Sequence, residues 1–307
     1  MVTGKKHPEL RKIFSALELP MKEDESLDYE VLEKLIDYQL SIGVQGFYCM
    51  GSSGEGLLLS LEERKRALEC IVSHVADRVP VIVHIGTIRT EDVIVLARHA
   101  MSLGIHTVSM IPPYYYRFSM DEIIKYYEDV IRMVPGLQVI VYNIPQFTNV
   151  EFSKQNAGRL LDNPAVVGVK HTSNNLYSLE RMVKAYPDKV FFNGFDEQFL
   201  GALSMGADAM IGTTVNCYAL LFIQVRELFE KGDFTAAYEM QHEINDRVEL
   251  MVKHGIFSAV KYVLSRRGLS CGVCRRPFSE LTEEAKQELN TMMDLDLNPS
   301  RIKEGGI

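Results

Sequence analysis

Cysteine is sparse and scattered. The five residues Cys49, Cys70, Cys217, Cys271 and Cys274 are odd in number, and a chain of 307 residues is too long to need disulfide staples. They read as reduced thiols. Cys271 and Cys274 form a lone CxxC, but a zinc site wants a second ligand pair and a redox motif wants a thioredoxin-like βαβ setting, and neither is present. Runs of basic residues are missing as well. Lys+Arg number 33 against 41 Asp+Glu, a net charge of −8, which repels nucleic acid and anionic membrane surfaces. No apolar stretch approaches the roughly 20 residues that span a bilayer, and the start "MVTGKKHPEL" has no apolar core of a secretion signal. The expectation is a soluble, cytoplasmic protein with no nucleic-acid or membrane partner. Linkers rich in Pro, Gly or Ser, internal repeats and low-complexity segments are also absent.

What is present is apolar. Hydrophobic residues make up 47% of the chain, enough for a large core. Eight runs of strand length recur: "IFSALEL", "GFYCM", "VPVIVHI", "HTVSMI", "LQVIVYNI", "VVGVK", "KVFFN" and "ADAMIG". Helical patterns stand between them. Ser60 with Glu63 and Ser119 with Glu122 form capping boxes after the second and fourth runs, and Leu61, Leu68, Ile71 and Val75 share one helix face. Runs apolar on both faces are what a parallel sheet covered on both sides requires. Eight βα units fit a closed (β/α)8 TIM barrel, an α/β fold, better than an open doubly wound sheet. Residues 1–230 are expected to form the barrel, and residues 231–307, purely helical in pattern, a C-terminal helical extension packed on it.

In such a barrel the active site lies at the C-terminal ends of the strands. Here those ends are polar: "GSSGEG" from Gly51 to Gly56, Tyr142-Asn143, Lys170, "NGFDE" from Asn193 to Glu197, and "GTT" from Gly212 to Thr214. Alternation places Lys170 with Gly168 and Val166, and Tyr142 with Ile140. If those faces line the axis, lysine and tyrosine meet in a water-poor pocket. A solvated lysine is almost wholly protonated at neutral pH. Burial disfavours the ammonium and frees a nucleophilic amine suited to Schiff-base formation with a ketone. The other reading is a lysine snorkelling at a strand end or held in an ion pair, and position alone leaves both open.

"GSSGEG" lacks the ending of a P-loop and the spacing of a dinucleotide fingerprint. The hydroxyls of Ser52 and Ser53, with backbone N–H groups freed by glycine, suit a small carboxylate just ahead of a helix; a tight turn in which Gly51 and Gly54 serve geometry alone is the alternative. Adjacent Asp196 and Glu197 read either as a helix N-terminus or as acceptors for the hydroxyls of a polyol. His84 and His171 lie near strand ends, but no histidine pair has metal-ligand spacing, and structural roles are expected.

"GSSGE", "YNIP" at 142–145 and "GVKHTS" around Lys170 resemble, in order and spacing, the class I pyruvate-dependent aldolases that include dihydrodipicolinate synthase and N-acetylneuraminate lyase. The resemblance covers about residues 13–290. "FFNGFDEQFLGALSMGADAMIGTTVN" and "CRRPF" resemble the sialic acid lyase branch, and Phe147 stands where the synthase branch has an arginine. The resemblance implies reversible cleavage of N-acetylneuraminate to N-acetylmannosamine and pyruvate, without metal or organic cofactor. Lys170 would form the imine and Tyr142 relay a proton. Ser52 and Ser53 would hold the carboxylate, with Ser52 in the relay. Thr172, Gly194, Asp196, Glu197 and Thr213 would contact the hydroxylated tail, and Tyr115 would reach a neighbouring subunit's site in a homotetramer. Another 2-keto acid aldolase, a synthase-like enzyme, or a non-catalytic barrel binding sialic acid or pyruvate are the competing readings. Three positions depart from the pattern. Glu18 and Leu19 stand where the family often has a threonine before the proline and are expected to alter the pocket floor, Ser53 replaces a threonine, and Thr213 adds a methyl where some lyases have serine.

Overall fold

The computed structural model describes residues 6–296; the outer ends of the two expected ranges, 1–5 and 297–307, lie outside the described residues. Eight parallel strands close into a barrel in sequence order: β1 Ile13–Ala16, β2 Gly46–Cys49, β3 Val81–His84, β4 Thr107–Met110, β5 Gln138–Asn143, β6 Val166–His171, β7 Val190–Asn193 and β8 Ala209–Gly212. Each coincides with one of the eight apolar runs. The intervening helices are α1 Tyr29–Ser41, α2 Leu61–Val75, α3 Thr90–Ser102, α4 Met120–Met133, α5 Pro145–Thr148, α6 Gly158–Leu161, α7 Leu176–Ala185, α8 Phe199–Ser204 and α9 Val215–Lys231. Three more follow: α10 Phe234–Lys253, α11 Ile256–Arg266 and α12 Glu283–Asp296. α10 lies along α9, and α11 and α12 pack against that pair.

Local chemistry sets the helix starts. Both expected capping boxes form, with Ser60 and Ser119 each accepting an N–H bond and receiving a glutamate in return; each cap contributes about 1 kcal/mol. Two cores result. An inner one fills the barrel, with Phe14, Tyr48, Ile140, Tyr142 and Phe192 among its members, and an outer one lies between strands and helices.

One register differs from simple alternation. The β5–β6 ladder shifts between Val139 and Ile140, so Val139 pairs with Val166 and Ile140 with Gly168. The extra residue sends Val166 to the outer core and Val167 to the inner one, as a bulge does. The expectation that Val166 shares Lys170's face is therefore corrected; beyond the bulge, alternation resumes. None of the five cysteines is in a disulfide, and four of them are buried. Among the described residues no helix is long and apolar enough to cross a membrane, and no group of three or more His, Cys, Asp or Glu could hold a metal ion.

Candidate active site

The ends of β5 and β6 carry the centre of the site. Tyr142 pairs with Lys170 in the ladder, so both side chains point into the barrel at one level. Lys170 is only 4% exposed. Its Nζ lies 4.0 Å from the Tyr142 ring centroid and 4.3 Å from that of Tyr48. These aromatic faces partly replace the solvation that burial removes. No carboxylate pairs with Nζ among the described residues, so the ion-pair reading of this lysine fails and the amine points into the site unengaged. One residue further on, Asn143 pairs with His171 on the opposite face. The Asn143 amide donates to His171 Nδ1 at 3.1 Å, and His171 Nε2 donates to the Asn175 carbonyl at 3.2 Å. Burial pushes the His171 ring down to about 4, keeping Nδ1 free to accept. This link fixes the strand ends that present Tyr142 and Lys170.

Two further side chains close the wall. The Tyr48 ring meets Tyr142 edge-on at 6.1 Å, and its hydroxyl donates to Ser109 Oγ at 3.1 Å. The His84 ring meets Tyr142 edge-on at 6.0 Å. His84 Nδ1 bonds the Met50 carbonyl at 3.2 Å, and Nε2 accepts from the Ile111 N–H at 3.4 Å. Burial, with the positive charges of Arg64 and Lys170, holds this ring well below the ordinary histidine range. Both histidines are thus neutral pieces of the frame. Tyr48 is not marked by the sequence, because an aromatic inside an apolar strand looks like any core residue; its position three before the polar turn is the available signal.

The "GSSGEG" segment is a series of turns preceding α2. That helix does not lend its N-terminus to the site, because Ser60 and Glu63 already cap it. Ser53 is buried and its hydroxyl lies 2.8 Å from that of Thr213, tying the turn to the end of β8; Ser52 is half-buried. Thr172 is buried with its Oγ1 unpartnered. A Cβ on Gly194 would fall onto that oxygen and come within 3.2 Å of Lys170 Cε. Glycine there is what allows β7 to end against the lysine.

Asp196 and Glu197 open a short helical turn, Asp196–Gln198, ahead of α8, which is the helix-start reading of the pair. Asp196 is also buried, with Oδ2 accepting from the Thr214 N–H and hydroxyl, each at 2.6 Å. Its other oxygen faces Gly212, where a side chain would collide with it. Burial raises this carboxyl to about 6 despite those bonds. Glu197 is exposed. Tyr115 stands 87% exposed on backbone of φ 76°, stacked edge-on with Tyr116 at 5.1 Å. The fold thus gathers Lys170, Tyr142, Thr172 and Gly194 in one place, joins Ser53 to Thr213 beside the Ser52 turn, anchors Asp196 to the start of α9, and leaves Glu197 and Tyr115 exposed. Of the departing positions, Leu19 packs in the outer core, and Glu18 is buried near Lys261 and Glu55.

Comparison with known proteins agrees with this geometry. Residues 9–295 match the model of the dihydrodipicolinate synthetase family. An N-acetylneuraminate lyase of Rhizobium meliloti is 38% identical over 274 residues, 89% of this chain and 91% of that protein. Among solved structures, CdNal from Clostridium difficile in complex with mannosamine superposes with a TM-score of 0.90 at 33% identity, covering 92% of this chain and 98% of that one. The N-acetylneuraminate lyase of Fusobacterium nucleatum complexed with pyruvate gives 0.88 at 34% identity, covering 93% and 97%. The chain belongs to the dihydrodipicolinate synthetase family.

Proposed function

We propose that this chain is a class I aldolase that cleaves N-acetylneuraminate reversibly to N-acetylmannosamine and pyruvate. The observation that carries the reading is the buried Lys170 amine, set over Tyr142 and Tyr48 with no carboxylate partner. The amine adds to the keto carbon and water leaves, giving a protonated imine. Tyr142 takes the proton from the hydroxyl of the carbon about to become the aldehyde. The carbon–carbon bond breaks and its electron pair moves into the imine, leaving an enamine instead of an unstabilised carbanion. Protonation of the enamine and hydrolysis release pyruvate and restore the amine. Ser52 and Ser53 hold the substrate carboxylate, Ser52 also passing protons, and Thr172, Gly194, Asp196, Glu197 and Thr213 meet the hydroxylated tail. Imine chemistry needs no metal or organic cofactor. The barrel, up to residue 230, carries the chemistry and helices α10, α11 and α12 buttress it. Five cysteines outside any disulfide suit a reducing compartment such as the cytoplasm.

The family resemblance supports assembly as a homotetramer in which Tyr115, exposed on backbone of positive φ, serves a neighbour's site. Mixing inactive Tyr115→Phe and Lys170→Ala chains should then restore part of the activity, because some hybrid sites take each native residue from a different chain. Hybrids that form and stay inactive would mean a self-contained site.

Asp196→Asn and Glu197→Gln test the sugar end. Each charge-assisted hydrogen bond lost to a tail hydroxyl costs roughly 1.5 to 3 kcal/mol, about ten- to a hundredfold in kcat/KM for N-acetylneuraminate, while trapping of pyruvate on Lys170 persists. Asp196 adds a pH signature. Its carboxyl is raised to about 6 from an ordinary 3.8, so it is protonated below that value and accepts hydroxyl hydrogen bonds fully only above it. Cleavage should improve as pH rises through about 6, and Asp196→Asn should lose that limb. The sign for stability is opposite. A raised carboxyl stabilises the fold below the unfolded value, and that contribution is lost as pH rises through the folded one, so Asp196→Asn should gain melting temperature relative to the native chain above about pH 6. Unchanged N-acetylneuraminate kinetics in both variants would move the assignment to another 2-keto acid aldolase.

A further inference from the structure

Three ionisable side chains from distant segments meet against the turn that carries Ser52 and Ser53. They are Glu18 just past β1, Glu55 within the turn, and Lys261 on α11, none more than 3% exposed. Lys261 Nζ donates to Glu55 Oε1 at 2.6 Å and to the Val273 carbonyl at 2.8 Å. The Arg275 N–H donates to Glu55 Oε2 at 2.6 Å. Glu55 therefore has both oxygens filled by groups of the C-terminal region. Its own N–H donates to the Ser52 carbonyl at 3.0 Å, and its backbone is left-handed, φ 51°. Whatever holds the Glu55 carboxylate also holds the turn that presents the two serines.

Glu18 completes the set without a partner. Neither of its carboxyl oxygens makes a hydrogen bond, and its backbone N–H is taken by Asn216 Oδ1 of α9 at 3.2 Å. Two acids share one cation in a chamber closed to water. Cys271 and Cys274 also interact with Glu18, but burial raises both thiols, that of Cys274 to about 12, so they add no charge at neutral pH. An unpaired second carboxylate there would carry a desolvation cost of several kcal/mol, so one acid must be neutral. Glu55 takes both available donors, Lys261 Nζ and the Arg275 N–H, and none reaches Glu18, so Glu18 is the neutral one. Burial raises Glu18 well above the usual carboxylate range, the charge of Glu55 adding to this and Lys261 opposing it.

We infer that Lys261 and Glu18 are positioning residues of the site: Lys261 holds Glu55, and through it the Ser52–Ser53 turn, and Glu18 permits this only while uncharged. Once ionised, Glu18 competes for the same ammonium and loosens the grip on the substrate carboxylate. This deepens the aldolase reading and rests on its assignment of Ser52 and Ser53.

The test is the pyruvate concentration that half-saturates borohydride trapping on Lys170, measured with melting temperature from about pH 6 to about pH 10 in the native chain and in Glu18→Gln, which mimics the neutral acid in shape. The two should agree at the acid end. Toward the alkaline end the native value should climb about tenfold above that of Glu18→Gln, the size of one charge-assisted hydrogen bond weakened, with the limiting trapping rate unchanged. Lys261→Met should raise half-saturation about tenfold at every pH; should it fail to fold, the Glu18→Gln comparison decides alone. A native-to-variant ratio that stays flat with pH, or moves only where melting shows unfolding, overturns the inference and leaves the aldolase standing. No adduct on the native chain at any pH overturns the aldolase and the inference with it.

Discussion

Replacing Lys170 by alanine is expected to remove all measurable cleavage of N-acetylneuraminate while leaving a folded barrel. The expected loss is larger than for any other single change, because the proposed imine is the electron sink and without it cleavage would leave an unstabilised carbanion. Among the described residues the only other buried lysines are engaged: Lys261 with Glu55, and Lys189 with the carbonyls of Asn163 and Val166. Neither can substitute. Melting temperature should hold or rise, since Lys170 has no carboxylate to orphan and its burial is unfavourable. A variant that keeps native cleavage rates would dismiss the Schiff base; one that loses activity together with its melting transition would have to be replaced by Lys170→Met, which keeps the length of the side chain.

Tyr142→Phe should lower kcat for cleavage by about 10²- to 10⁴-fold, the usual contribution of a positioned proton-transfer group. The ring remains to face Nζ and to stack against Tyr48 and His84, so pyruvate should still form a trappable imine and KM should change little. This split separates proton relay from packing. Equal losses in trapping and in cleavage would assign Tyr142 to holding the lysine in place.

The β strands were legible because each apolar run is interrupted by turn formers, and the rim because polar residues close five of those runs at Gly51, Asn143, Lys170, Asn193 and Gly212. Facing was harder. A strand buried on both sides carries no hydrophobic alternation, so nothing in "VVGVK" marks the bulge that turns Val166 outward and Val167 inward. Tyr48 was hidden for the same reason, its partners Ser109 and Tyr142 lying on other strands. The Glu55–Lys261 pair spans 206 positions in the chain, and no local pattern announces it. Asp196 shows a different limit. Sequence offered helix start or sugar contact as alternatives, and the fold gives the residue a structural anchor at Thr214 without removing it from the rim.

The central claim is that the amine of Lys170 is the nucleophile. Borohydride reduction in the presence of pyruvate, followed by proteolysis and mass mapping, addresses it directly. One reduced pyruvyl group per chain is expected, on Lys170, and none without pyruvate; an adduct on any other lysine, or no adduct, would contradict that role.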